Sequence, residues 1–315
     1  MTAFLYVVIY LGLFTFLAGS TARAVRYSRL PGHLRWELYP VPHEEPGRVR
    51  HGGSYFETAD WWTREPHFSL SGELKAMIPE MLFLKGLWEF NRKLWYRSFL
   101  FHFGLYLLAG AAVLLLAAVL GSLAAPGLMA GAAGGALHAL YTAAGMCGAA
   151  MAILGAAALL HRRLTHPDLK NYTAPADLFN LAFFIVTLVL LAGGYLMRRP
   201  GAPGAAALLR GMLTFDATVA VPGVLAPGLV LAALLAAYIP FTHMSHFVAK
   251  YFTYHHIRWD DLPAGKSAEI QRRFAEYLTF RPTWAAQHIG ADGIKTWADI
   301  AAASPFAPSG KGAAK

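Results

Sequence analysis

The stretch FLFHFGLYLLAGAAVLLLAAVLGS, residues 99–122, contains no Lys, Arg, Asp or Glu and a single histidine. A run of that length and composition is long enough to cross the roughly 30 Å hydrocarbon core of a bilayer as one helix. Four more runs read the same way, at 3–21, 136–160, 177–197 and 222–250. The fold class they predict is all-α, an integral membrane five-helix bundle. Composition agrees. Apolar residues make up 56% of the 315 and charged residues 14%, well below the quarter or so usual in soluble domains. The lone cysteine, Cys147, excludes an iron–sulfur cluster, an intrachain disulfide or a CxxCH haem attachment within this chain.

The first run, AFLYVVIYLGLFTFLAGS, has no basic residue before it and is followed by Arg23, Arg26 and Arg29. A signal peptide has the opposite polarity, so this segment reads as a retained helix with its N-terminus outside. Alternation then puts 22–98, 161–176 and the tail from 251 on one side. That side, with Lys250, holds 24 of the 27 Lys and Arg; the opposite loops hold Arg198, Arg199 and Arg210. Basic loops lie inside, so the N-terminus is expected to be periplasmic and the C-terminus cytoplasmic, in a bacterial inner membrane. The same distribution accounts for the net charge of +9 without nucleic acid.

Four parts follow. Residues 1–22 form the first transmembrane helix, and 23–98 a cytoplasmic connection. Residues 99–250 form a four-helix membrane domain, and 251–315 a cytoplasmic tail. Within the connection, GELKAMIPEMLFLKGLWEFNRKLWYR (72–97) reads as an amphipathic surface helix that Pro79 should break or kink. In the tail, SAEIQRRFAEYL (267–278) reads as a Ser-capped soluble helix, and SPFAPSGKGAAK (304–315) as disordered. Trp61, Trp62, Trp88, Trp95 and Trp259 are candidates for a docking surface or for a membrane-interface belt.

Ionisable residues inside a membrane are costly and mark function. His102 lies four residues into the second run, about 6 Å below its boundary. His246 lies four residues before Lys250, near the same end of the fifth run. The two helices run in opposite directions, so both histidines sit at one depth, as a metal held from two sides requires. The plainer reading is a packed histidine bonded to a backbone carbonyl. His243, three residues from His246, has three roles open to it: ligand in place of His246, partner of a haem propionate, or contact with another helix. His255 and His256 are expected to face the cytoplasm or a partner. His161 and His166 are expected in a basic cluster for headgroups or propionates. His138 starts the third run at the far side. His33, His43, His51, His67 and His288 carry no readable signal.

With SFLFHFGLYLL (98–108) and GLVLAALLAAYIPFTHMSHF (228–247), the chain resembles the gamma subunits of respiratory nitrate reductases. It also resembles the related membrane subunits of Dsr-type and heterodisulfide-reductase-like complexes, to which the long 22–98 connection is closer. The resemblance covers roughly 99–250 and implies a membrane cytochrome b with haem between the second and fifth helices. Counted from Pro240 and Phe241, the ligand pattern falls on His246, and on the second helix it falls on His102. Arg97, Arg163, Lys250 and His243 are candidate propionate partners by depth. The family's second, far-side haem would need ligands at Ala112 and Gly228, neither of which binds iron. One haem b is therefore expected, unless His138 serves a second. The resemblance further implies exchange of electrons between menaquinone or ubiquinone and a cytoplasmic-side iron–sulfur partner, with His161 and Tyr106 as candidates near the quinone. A membrane anchor without redox chemistry is the alternative.

Overall fold

The computed structural model describes residues 1–30, 47, 58–60, 63, 69–258, 267–283 and 289–303. Trp61, Trp62, Trp259, the five histidines without signal and the 304–315 tail lie outside these, as does the side chain of His256. All regular structure among the described residues is helical. The chain divides into two compact units, one of Met1–Arg23 with Leu70–His246 and one of Ala24–Ser69 with Phe247–Lys315.

The first unit is built on long apolar helices. These are α1 (Thr2–Ser28, whose last turn belongs to the second unit), α4 (Arg92–Ala124), α5 (Ala132–Thr165) and α6 (Pro175–Leu196). Each is long and apolar enough to cross a membrane, and a fifth span exists if the interrupted run from Ala226 counts as one. The molecule is thus a multi-pass membrane protein. Hydrocarbon offers the backbone no hydrogen bonds, so only segments that satisfy their own amides can cross it. Many large apolar side chains point outward, among them Phe14, Val113, Leu154 and Val186. That is the pattern of helices solvated by lipid.

With no hydrophobic drive between helices in lipid, small residues allow the close approach that holds the bundle together. α4 and α5 form the tightest pair. A Cβ on Gly104 would sit 2.4 Å from the Ala152 amide nitrogen, and one on Gly155 would sit 2.3 Å from that of Phe101. α5 packs on α6, and α6 on α8 (Ala226–Tyr238). The core joins all four through Phe101, Ala152, Ala156, Phe184, Leu188 and Leu235. α4 and α8 are not closely packed on each other.

The segment at 72–97 is not one helix. It divides into α2 (Leu70–Leu82), α3 (Lys85–Phe90) and the first turns of α4. Pro79 is accommodated inside α2, and the break comes at Leu84, whose φ of 53° is left-handed. The Trp95 indole donates to the Phe83 carbonyl at 2.7 Å, and the Tyr106 hydroxyl donates to that of Met81 at 2.6 Å, tying α2 to α4. Asn91 caps α4, its side chain accepting from the Leu94 amide at 3.1 Å.

The fifth run departs most from expectation. The continuous helix over 222–250 is replaced by α8, 3-10 turns at Ile239–Phe241 and His243–Ser245, and α9 (His246–Phe252). Pro240 supplies no amide to continue α8. Thr242 then turns extended, at φ −122° and ψ 175°, and its hydroxyl accepts from the Met244 amide at 3.3 Å. His243 and His246 are therefore not set 60° apart on one helix, as a straight span would have them.

In the second unit, α10 (Ala268–Leu278) is capped by Ser267 and carries Glu269 between Arg272, at 3.0 Å, and Arg273, at 2.8 Å. α11 (Trp297–Ala302) opens with a reciprocal cap between Thr296 and Asp299. Here His255 is corrected: it is buried, 8% exposed, and its ring lies 4.2 Å from that of Tyr251. The imidazole is covered by the chain's own residues, while Tyr251 stays half exposed.

Candidate functional site

His102 and His246 come together within the first unit. Their ring centres are 6.0 Å apart, with the planes at 67°. The two rings are oriented by their own backbones. His102 Nδ1 lies 2.7 Å from the Ser98 carbonyl one turn earlier, and His246 Nδ1 lies 3.2 Å from the His243 carbonyl. A carbonyl can only accept, so each Nδ1 carries a proton, and in the neutral ring each Nε2 keeps a lone pair. This is the arrangement that prepares an imidazole for a metal. An imidazole–metal bond of about 2 Å on each side, with roughly 1 Å from nitrogen to ring centre, gives a separation of about 6 Å between centres. The observed pair matches it. Among the described residues, no group of three or more His, Cys, Asp or Glu could hold a metal by itself.

His243 turns away from this pair into a polar chain. Its Nε2 lies 3.8 Å from Asp177 Oδ1 and 3.4 Å from the Asn180 amide. Asn180 is buried, and its carbonyl accepts from the Tyr238 hydroxyl at 3.0 Å. Asp177 Oδ2 accepts from Arg163 and from the Ala174 amide, both at 3.1 Å. Of the three roles open to His243, the geometry is that of contact with another helix. Arg163 already has a carboxylate. Asp177 and Asn180 escaped the sequence reading, although two polar residues three apart at the start of an apolar run share a helix face.

The other candidates are separated. Arg97 donates to the Lys93 carbonyl at 2.7 Å and lies five residues before His102, about 140° round the helix. It lines a cavity of about 600 Å3 with Lys93, His161, Arg162 and His166. Lys250 belongs to the second unit, where its ammonium lies 5.4 Å from the centre of the Tyr254 ring. Tyr106 is engaged with Met81, and its ring centre is 6.5 Å from that of His102.

At the other end of the bundle, Ala112 lines an apolar cavity of about 380 Å3 with Tyr141, Thr142 and Tyr195. Gly228 is where α8 backs onto α6: a Cβ there would lie 2.7 Å from the Leu191 amide nitrogen, so no ligand side chain fits. His138 is exposed and packs edge-on to Tyr141 at 5.1 Å. No protein-family description, curated protein or solved structure matches the chain.

Proposed function

We propose that this chain is the membrane cytochrome b subunit of a respiratory oxidoreductase, carrying one b-type haem between α4 and the fifth segment. The observation that carries this reading is the adjacent pair His102 and His246, ring centres 6.0 Å apart, each with Nδ1 held by a backbone carbonyl. The lack of close packing between α4 and α8 supports it, because a flat macrocycle needs room between the helices that ligate it. Haem, when bound, supplies one-electron chemistry through its iron.

The chain's own contribution is positional. Ser98 and His243 fix the two rings through their carbonyls, which raises the basicity of both Nε2 atoms. Phe101 meets His102 edge-on at 5.4 Å, and Phe241 and Phe247 are exposed nearby in sequence, giving apolar surroundings. Lys93, Arg97, Arg162 and Arg163 gather where α4 begins and α5 ends. In this reading that end faces the cytoplasm and an iron–sulfur partner, and the electrons come from or go to membrane quinone. Both redox partners are inferred from the resemblance to gamma subunits.

The test is a reduced-minus-oxidised spectrum of the purified chain with haem quantitation. One b haem per chain is expected, and His102→Ala or His246→Ala should each lower it at least about tenfold, since losing an axial imidazole removes half the protein's hold on iron. A folded wild-type protein without a haem band would overturn the proposal and leave the anchor reading. Two haems would show that the far end also ligates iron.

A further inference from the structure

We propose that the basic cavity between the first turns of α4 and the last turn of α5 binds the phosphodiester headgroup of an anionic phospholipid. The inference does not depend on the haem. The cavity, about 600 Å3, is lined by Lys93, Arg97, His161, Arg162, Thr165 and His166 among others, and no carboxylate among the described residues lines it.

The neighbouring cations show what a satisfied basic residue looks like here. Arg163 is paired with Asp177, and Arg92 lies 4.4 Å over the Trp88 ring. Arg97, by contrast, is directed onto a neutral carbonyl. The helix that forms one wall sharpens the imbalance. Its amino end carries the positive pole of a 33-residue dipole, where acidic residues are normally favoured, yet the first turn has none and holds Arg92 and Lys93. Asn91 caps the Leu94 amide, but no acidic side chain offsets the pole, which leaves it open to an anion from outside the chain. On the opposite wall, at the end of α5, the His161 carbonyl accepts from the Thr165 hydroxyl at 2.8 Å and the Arg162 carbonyl from the His166 amide at 2.9 Å. His166 Nδ1 is enclosed without a hydrogen bond, the Asp168 carboxylate standing 3.8 Å away.

The level of the cavity selects the anion. The apolar run of α4 begins at Phe99, two residues past Arg97, and Trp88 and Trp95 pack edge-to-face beside it at 4.8 Å. Tryptophan and basic side chains at the end of an apolar span mark the headgroup layer, where lipid phosphate is the abundant anion.

The full-length chain, with any prosthetic group it carries, is exchanged into nanodiscs of phosphatidylcholine alone or mixed with phosphatidylglycerol. Retained lipid is read by native mass spectrometry after gentle delipidation, and the thermal midpoint is read in parallel. Phosphatidylglycerol should be retained over phosphatidylcholine and should raise the midpoint. Lys93→Gln, Arg97→Gln and Arg162→Gln should each weaken retention roughly fivefold, and together more than tenfold. Arg198→Gln with Arg199→Gln, at the far end, should leave it unchanged. If the triple variant does not fold, the single variants decide. Equal retention of the two lipids by the wild type would overturn the proposal, as would insensitivity to all three substitutions. Stabilisation by inorganic phosphate that competes with phosphatidylglycerol at equal concentration would assign the cavity to a free anion instead.

Discussion

Asn180 shows how much one polar residue can organise inside an apolar bundle. Its amide holds His243 while its carbonyl receives the Tyr238 hydroxyl, so it joins α6 to both sides of the break after α8. Asn180→Leu would take the partner from the half-buried Tyr238 hydroxyl and leave the exposed His243 ring with Asp177 alone. A loss of about 1–3 kcal/mol is expected, read as a lowered unfolding midpoint in detergent. Under the haem proposal the same variant should keep its absorbance band, as should His243→Ala, whose backbone carbonyl still orients His246. If His243→Ala abolishes the band while His246→Ala spares it, the ligand assignment is reversed. His102 and His246 were legible in sequence because an imidazole in an apolar run is conspicuous and two at one depth are more so. Asp177 and Asn180 were not. A polar residue near the start of an apolar run reads as a boundary, and their partner His243 lies more than sixty residues further along. Arg163 looked available for the same reason: its carboxylate partner stands on another helix.

At the scale of elements, apolar length located four spans, but backbone chemistry set their ends and broke the fifth. α4 starts at Arg92, well before its apolar run, because Asn91 caps it and charged side chains can extend a helix into the headgroups. The break at Thr242 needed Pro240 and a Thr–Ser capping pair acting together, a local competition that a hydropathy window averages away. The glycines of α4 and α5 read as neutral apolar filler, yet they set the packing of the tightest pair. Gly155→Val should therefore force the helices apart at Phe101 and cost about 1–3 kcal/mol, with a larger effect than Gly110→Val, where nothing lies within 4 Å of the added carbon. Comparing the two unfolding midpoints checks it. In the second unit, Asp292 accepts from the Lys295 and Ile294 amides, which hold its carboxyl down to about 2. A depressed carboxyl adds stability above its unfolded value, near 4, and loses it as pH falls through the folded one. Hydrogen exchange at Ile294 and Lys295, corrected for intrinsic rate, should speed up as pH falls from about 4 to about 2. In Asp292→Asn that pH dependence should be gone.

For the whole molecule, the decisive question is which end of the bundle faces inward, because the facing imidazoles and the basic cavity lie at the same end. The first turns of α4 and the last of α5 bring Arg92, Lys93, Arg97, Arg162 and Arg163 there, while the opposite end has Arg198, Arg199 and Arg210. Basic residues close to helix ends weigh most in fixing orientation, and the imbalance favours the histidine end inside. An inward histidine end would put the proposed haem within reach of a cytoplasmic redox partner, and an outward one would forbid that pairing whatever the spectrum shows. The chain has one native thiol, Cys147, so Cys147→Ala gives a clean background for single-cysteine labelling. In intact cells, a membrane-impermeant maleimide should label Ala202→Cys, in the loop between α6 and α7 (Ala205–Leu213), and should spare Ala303→Cys, just past α11, until the membrane is permeabilised. The reverse pattern would place the histidine end outside and sink the cytoplasmic electron partner, while leaving the ligand pair itself intact. The cavity prediction would survive such a result as well, since anionic phosphate occurs in both leaflets, but its lipid would then come from the outer one.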